Sequence, residues 1–287
     1  MKTILKCSCL LFTLCAPLCA QYLITTPDSL LSNGADYLIV THPNFTASLG
    51  PLCRLRDSLG LTVRMVQTDL VYSTFPDTSH TKSIRLCLQR VYNYWNPRPT
   101  YILLVGDAQR GGGANDFLPV PVFPKFNYDY AGGITQHGAD NWYVTLAGND
   151  SIPDLIIGRL PVNSAAMCQN VVNKILSYET TDSAGPWRTT ILLNSSTDRQ
   201  VYADEYLNNY FRPAGDSVVK IYESQGNSPS LRTRHIQAFN NGAVIAMPAC
   251  HGSSSPPSWV GASYTLFNNS DISSLTNQVY PIAFGRG

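Results

Sequence analysis

Tyr37-Leu38-Ile39-Val40 and Leu61-Thr62-Val63-Arg64-Met65-Val66, together with residues 46–60 between them, decide the fold class. The first run is short, rich in β-formers and bounded by Asp36 and His42-Pro43, and it reads as a buried strand. In the intervening segment Leu49, Leu52, Cys53, Leu55 and Leu59 fall near one face of a helix, and Gly60 supplies the stop. The second run resumes a strand. A strand, helix and strand joined in this way form a right-handed crossover with the two strands parallel.

The alternation extends along the chain. Residues 21–35 are polar with scattered apolar positions and read as a lead-in. Ile84, Leu88, Val91, Tyr92 and Trp95 form the stripe of a helix over residues 81–95, ended by Asn96-Pro97-Arg98-Pro99. Tyr101-Ile102-Leu103-Leu104-Val105 is apolar throughout, as an interior parallel strand is, and runs into Gly106-Asp107. Residues 142–146 and 153–157 predict two strands about the turn Gly148-Asn149-Asp150. A helix capped by Asn163 follows, with Met167, Val171, Val172, Ile175 and Tyr178 as its buried stripe.

The polar segment 181–187 contains Gly185-Pro186 and marks a boundary between two subdomains, residues 21–186 and 187–287. Beyond it the pattern restarts with strand 190–193, helix 202–211, strand 218–222, helix 230–239 and strand 243–247. The class is α/β, with a mostly parallel sheet.

Residues 106–142 form the longest irregular stretch, with Gly111-Gly112-Gly113 and Gly132-Gly133. Neither GxGxxG nor GxxxxGK[ST] occurs there, which argues against a phosphate cradle. The stretch reads as a surface insertion packed by Phe123, Phe126, Tyr128 and Tyr130.

The 287 residues are 44% hydrophobic with a formal net charge of +1 and no run of Lys or Arg, so a sizeable core is expected and nucleic-acid or membrane-surface binding is not. Residues 1–20 read as a secretory signal: Lys2 and Lys6 lead an apolar stretch, and Leu18-Cys19-Ala20 offers a cleavage site before Gln21. That stretch is too short for a membrane anchor, and a lipid-modified cysteine is disfavoured by the bulky Leu14 and Leu18. Cleavage would remove Cys7, Cys9, Cys15 and Cys19 and leave Cys53, Cys87, Cys168 and Cys250. No CxxC spacing or Cys/His cluster is present, so neither a structural zinc site nor a disulfide framework is expected.

Chemistry concentrates in the last fifth. The apolar run before Cys250 ends in His251-Gly252-Ser253, a polar loop is expected next, and a second apolar run ends in Gly285-Arg286-Gly287. In open parallel sheets, reactive groups collect beyond the carboxyl ends of the strands. His251 stands at such an end, beside Gly252, whose N–H no side chain shields. His42, His80, His137 and His235 lack that setting and read as structural.

Several ordered stretches resemble the gingipain-type cysteine peptidases, family C25. They are Ala35-Asp-Tyr-Leu-Ile-Val-Thr-His-Pro43, Tyr101-Ile-Leu-Leu-Val-Gly-Asp107, Asp140-Asn-Trp-Tyr143, Pro153-Asp-Leu-Ile-Ile-Gly-Arg-Leu-Pro161, Lys174-Ile-Leu-Ser-Tyr-Glu179, and His251-Gly-Ser253 with Trp259 and Leu275-Thr-Asn277 behind it. The resemblance implies a caspase-like three-layer sandwich with helices on both faces of the sheet. It implies a secreted or surface endopeptidase acting on protein or peptide substrates, and a link to bacterial secretion machinery.

Carried over residue by residue, the resemblance makes His251 the base and Gly252 N–H an oxyanion donor, and sets the nucleophilic Cys immediately after Gly287, so that the chain is expected to be a truncated, inactive piece. Asp198 matches an acidic residue near the dyad, where it would orient the imidazole. Gln200 falls near the specificity pocket, with Asp204 and Glu205 close by, which gives no basis for basic specificity. The family has Gly where Cys250 stands. Cys250 is a poor substitute nucleophile, because neighbours on an extended strand point to opposite faces.

Three other readings compete: a sortase-like transpeptidase of the same family, a non-catalytic binding module, and a serine hydrolase built on His251-Gly252-Ser253. The last is disfavoured because no GxSxG elbow occurs. No cofactor is identified, and the Asp and Asn residues around Gly148-Asn149-Asp150 lack the loop spacing that calcium requires.

Overall fold

The lead-in holds structure of its own. Strand β1 (Leu23–Ile24) is followed by helix α1 (Pro27–Ser32), where Thr26 accepts the Ser29 N–H and Pro27 sits at the start of the first turn. The computed structural model describes residues 19–109, 112–124, 136–181, 184–254 and 257–284. Most of the expected signal, the aromatic residues Phe126, Tyr128 and Tyr130, and Gly285-Arg286-Gly287 therefore lie outside the described residues. Cys19, which cleavage after Ala20 would remove, packs with Tyr22, Leu49, Leu52 and Cys53.

The chain divides into two units, Met1–Leu176 and Ser177–Gly287. This division falls within a long helix, earlier than the polar segment at residues 181–187. In the first unit β2 (Tyr37–Thr41), β3 (Val63–Gln67), β4 (Tyr101–Val105) and β7 (Ile156–Leu160) join β1 in an all-parallel sheet of order β1-β3-β2-β4-β7. The short strands β5 (Val122–Pro124) and β6 (Gln136–Gly138) pair separately and antiparallel.

Successive strand residues feed opposite cores. Leu38, Val40, Ile102 and Leu104 pack with Ile84, Leu88 and Val91 of a helix over His80–Tyr94. Ile39, Met65, Leu103 and Val105 pack on the other face with Leu52 and Cys53 of the helix Gly50–Ser58 and with Cys168 and Val172 of the helix Ala165–Thr180. Helices thus cover both faces, and the layering is the expected one.

Four local expectations are corrected. The helix over residues 46–60 is a 3-10 turn, Pro43–Leu49, before the α-helix begins at Gly50, and it ends at Ser58, so Leu59 is exposed. Residues 142–146 are not a strand: Asp140–Val144 is a 3-10 helix in which adjacent Tyr143 and Val144 are both buried. The Arg85 guanidinium occupies the carbonyls of Trp142 and Thr145, and the Tyr143 hydroxyl donates to Pro119 O at 2.7 Å. The next strand begins at Ile156, because the Asp154 carboxylate folds a turn back onto the N–H groups of Leu146 and Ala147. Ser164, not Asn163, caps the following helix through a 3.2 Å bond from Met167 N–H, and Cys168 and Val172 are its buried positions while Met167 is exposed.

In the second unit β8 (Thr190–Ser195), β9 (Ser217–Tyr222), β10 (Ile245–Ala249) and β14 (Ile282–Ala283) form a parallel sheet of order β14-β10-β8-β9. Leu192, Ile221 and Ala246 pack against Leu231, Ala238 and Phe239 of the helix Ser228–Asn241, while Leu193 and Tyr222 pack on the opposite side with Ala203 and Leu207. The region after Cys250 is not a loop. It forms a three-stranded antiparallel sheet of β11 (His251–Ser254), β12 (Pro257–Val260) and β13 (Thr265–Asn268). His251 therefore opens a new strand directly after a parallel one closes.

Candidate active site

Two adjacent parallel strands deliver the site. All six residues of β8 are buried, so its path is fixed by the core, and Asn194 and Ser195 stand opposite Pro248 and Ala249 of β10. Ser196 N–H donates to Ala249 O at 3.2 Å, which ties the two exits together. One exit continues into the 3-10 turn Thr197–Arg199, the other through Cys250 to His251.

Across these exits His251 Nε2 lies 2.9 Å from Asp198 Oδ2. Both side chains are half-exposed, at 33% and 46%, so the pair is open to a substrate. The Asp198 carboxyl is held below the usual carboxylate range by the Ser196 hydroxyl beside it and by the His251 imidazole. Arg199 Nε stands 3.8 Å from the same carboxylate oxygen. A carboxylate bonded to one ring nitrogen sets the imidazole's tautomer and orientation, which is what a general base requires.

Gly252 is next to the imidazole, exposed, opposite Trp259 on β12. A Cβ built there would meet nothing within 4 Å, so the space beside this residue is open. Cys250, by contrast, is buried, and burial pushes its thiol up to about 12. Gln200 and Asp204 are engaged with each other and with neighbours: Asp204 accepts the Tyr222 hydroxyl at 3.0 Å, and Gln200 accepts the Ser224 hydroxyl at 2.9 Å.

Three of the remaining histidines hold structure, and the fourth, His137, is exposed. His42 accepts the Asn44 N–H, and His80 stacks on Tyr72 with ring centres 3.8 Å apart. His235 is buried between Asn194 Nδ2 at 3.1 Å and Leu231 O at 2.8 Å, and burial pushes its pKa down to about 4. Among the described residues no group of three or more His, Cys, Asp or Glu could hold a metal ion.

Sequence reasoning missed Glu223. It is buried at 4% exposure and accepts three backbone N–H groups, from Thr197 at 2.7 Å, Ala262 at 2.9 Å and Ser263 at 2.8 Å. Burial pushes this carboxyl up, but the three N–H bonds outweigh it and keep the group below its usual range. The available signal was an acidic residue directly after the buried end of a predicted strand, at the same level as the exits carrying Asp198 and His251.

Comparison with known proteins agrees with this architecture. The model of peptidase family C25 matches residues 30–287. The crystal structure of the Arg-specific cysteine proteinase gingipain R (RgpB) superposes with a TM-score of 0.66 at 18% identity, covering 91% of this chain and 56% of that one. The complex of Porphyromonas gingivalis RgpB pro- and mature domains gives 0.63 at 19% identity, with 86% and 55% covered. A third structure, described as a protease, gives 0.63 at 21% identity, with 91% and 52% covered. These similarities show the gingipain fold, the caspase-like α/β arrangement expected from the sequence, and this chain spans little more than half of each matched chain. No curated protein matched the chain by sequence.

Proposed function

Because the chain belongs to peptidase family C25, we propose that it is the base-bearing part of a secreted cysteine endopeptidase, with His251 as general base, Asp198 as the group that orients it and Gly252 N–H as an oxyanion donor. The observation that carries this reading is the 2.9 Å bond between His251 and Asp198 at the exits of neighbouring parallel strands. With Nε2–H donated to Asp198, Nδ1 is the basic nitrogen.

The nucleophile belongs immediately after Gly287. Ile245 pairs with Ile282 and Ala246 with Ala283 across β10 and β14. The two strands run parallel, so β14 ends toward the same edge of the sheet as β10, the strand before His251, which supports that placement. A Cys there would give its thiol proton to the imidazole, and the resulting thiolate would attack the scissile carbonyl. Charge developing on the carbonyl oxygen would be met by Gly252 N–H. His251 would then protonate the leaving amine, and water would release the acyl group from sulfur. Among the described residues every cysteine is buried, which argues against each of them as the nucleophile. Residues 1–20, with their basic start and apolar stretch, support export, and protein substrates are the class such a site acts on.

The test reads the frame past Gly287 and assays the extended protein on an unstructured protein substrate. A Cys at the next position, with activity abolished by His251→Ala, is expected. Any other residue there, or unchanged activity in the H251A protein, overturns the proposal.

A further inference from the structure

We infer that Glu223 is a positioning residue for the Asp198–His251 pair, its buried carboxylate binding the turn that carries Asp198 to the turn that joins β12 and β13. The inference rests on the reading of that pair as the catalytic base and its orienting group, and it adds to it a group that touches neither substrate nor nucleophile.

The geometry is a clamp between two separate segments. Glu223 Oε2 accepts both the Thr197 N–H at 2.7 Å and the Ala262 N–H at 2.9 Å, so one oxygen joins the two turns, while Oε1 accepts the Ser263 N–H at 2.8 Å. Thr197 immediately precedes Asp198. Ala262 and Ser263 lie in the turn closed by Gly261 N–H on Tyr264 O at 2.8 Å, and Val260, just ahead of that turn, is the β12 partner of His251. The Tyr264 hydroxyl donates to Glu223 O at 3.0 Å, fixing the same turn to the end of β9 from a second side.

Asp198 and His251 thus come from two segments that a single carboxylate holds in register. Both are half-exposed, and no packed core of their own fixes them. Three N–H donors on a buried carboxylate with no cation among its bonded partners in the described residues are better explained by the two turns they join than by the strand Glu223 follows. Gly261 fits the same account: a Cβ there would stand against the Glu223 carboxylate.

Two substitutions disturb the clamp differently. Glu223→Asp keeps the charge but shortens the side chain by one CH2 group, so that one carboxylate no longer spans both turns, and Gly261→Ala keeps the carboxylate but displaces it. The charged and titratable groups beside Asp198 are His251, Arg199, the buried Cys250 thiol and Glu223 itself, whose charge neither substitution removes. The readout is the titration of the Asp198 carboxyl, followed by its side-chain 13C resonance in the 287-residue chain. His251→Ala should raise that midpoint, because it removes one of the groups holding Asp198 low. E223D and G261A, which both keep the charge, are each expected to raise it by at least roughly half as much, with backbone 1H–15N spectra that remain folded. A folded E223D or G261A protein in which Asp198 titrates as in the unsubstituted chain overturns the inference, and if E223D does not fold, G261A decides. The measurement needs no turnover, so failure of the peptidase reading, seen as absent cleavage, is distinct from failure here.

Discussion

Asp198 and His251 are 53 residues apart in the chain, yet Oδ2 of one lies 2.9 Å from Nε2 of the other. The cause is the pairing of β8 with β10, which brings the two strand exits side by side before either side chain is considered. The pair is therefore a product of sheet topology, and its chemistry can be altered without altering the fold.

In the protein extended through its nucleophile, Asp198→Asn should lower kcat on the order of 10²-fold while KM changes little, because the imidazole loses the charge that fixes its tautomer and stabilises its protonated form. Steady-state kinetics on a peptide substrate checks this. An equal rise in KM with unchanged kcat would assign Asp198 to substrate binding instead.

How much of this pair was legible beforehand follows from the kind of signal each part leaves. Tyr37–Thr41 and Tyr101–Val105 were readable because strands buried on both faces are apolar throughout, and that pattern needs no partner to be recognised. His251 and Asp198 were readable as residues at strand exits. The helix Asp140–Val144 was not, since its conformation is set by Arg85, which is distant in sequence and reaches two of the local carbonyls. The sheet β11-β12-β13 was missed because its strands are short and Ser-rich, and pairing rather than propensity holds them. Glu223 showed only as an acidic residue after a strand end, and its role was not legible, as its three donors come from two turns that the sequence leaves unrelated.

His235 gives the second unit an acid sensitivity of known sign. Its folded pKa lies at about 4, below the ordinary 6.5, because burial disfavours the charged ring. The unfolded chain therefore binds the extra proton first, and stability falls as pH drops from about 6.5 and keeps falling until about 4, by as much as about 1.4 kcal/mol per pH unit. His235→Gln should be less stable at pH 7, where it strains the contacts to Asn194 and Leu231, but should lose this part of the acid slope. Urea unfolding of both proteins across that pH range measures the difference, and parallel slopes would refute the assignment.

Arg159 holds together the C-terminal ends of strands in the first unit. Its guanidinium bonds both oxygens of Asp140, at 2.8 and 2.7 Å, and donates to the carbonyls of Gly106, Leu118 and Pro119. With the side chain only 12% exposed, Arg159→Ala leaves the Asp140 carboxylate and the carbonyls of Gly106 and Leu118 without their donor, while Pro119 O keeps the Tyr143 hydroxyl, and should cost about 3 kcal/mol in urea unfolding. Arg159→Lys should recover only part of this, because an ammonium cannot reproduce the planar fork. Full recovery by lysine would show that charge, not geometry, matters there.

Cys250 adjoins His251 in the chain, and a thiol beside an imidazole is the obvious rival nucleophile. Its surroundings oppose that role. The thiol is buried, packed in the core that holds Leu231, Phe239 and Phe267, and burial pushes it up to about 12. Cys53 and Cys87 are likewise held at about 12, and Cys168 at about 11, by burial. A nucleophile needs a thiolate near neutral pH, and these sites oppose forming one. Iodoacetamide at pH 8 should leave all four unlabelled in the folded chain and label them once urea is added, as read by peptide mass analysis. Cys250→Ala in the extended protein should retain kcat within about twofold, since the imidazole's proton partner lies elsewhere. Loss of activity in that variant, with the fold intact, would move the nucleophile from the position after Gly287 to Cys250 and require the strand exit at Ala249 to open during turnover.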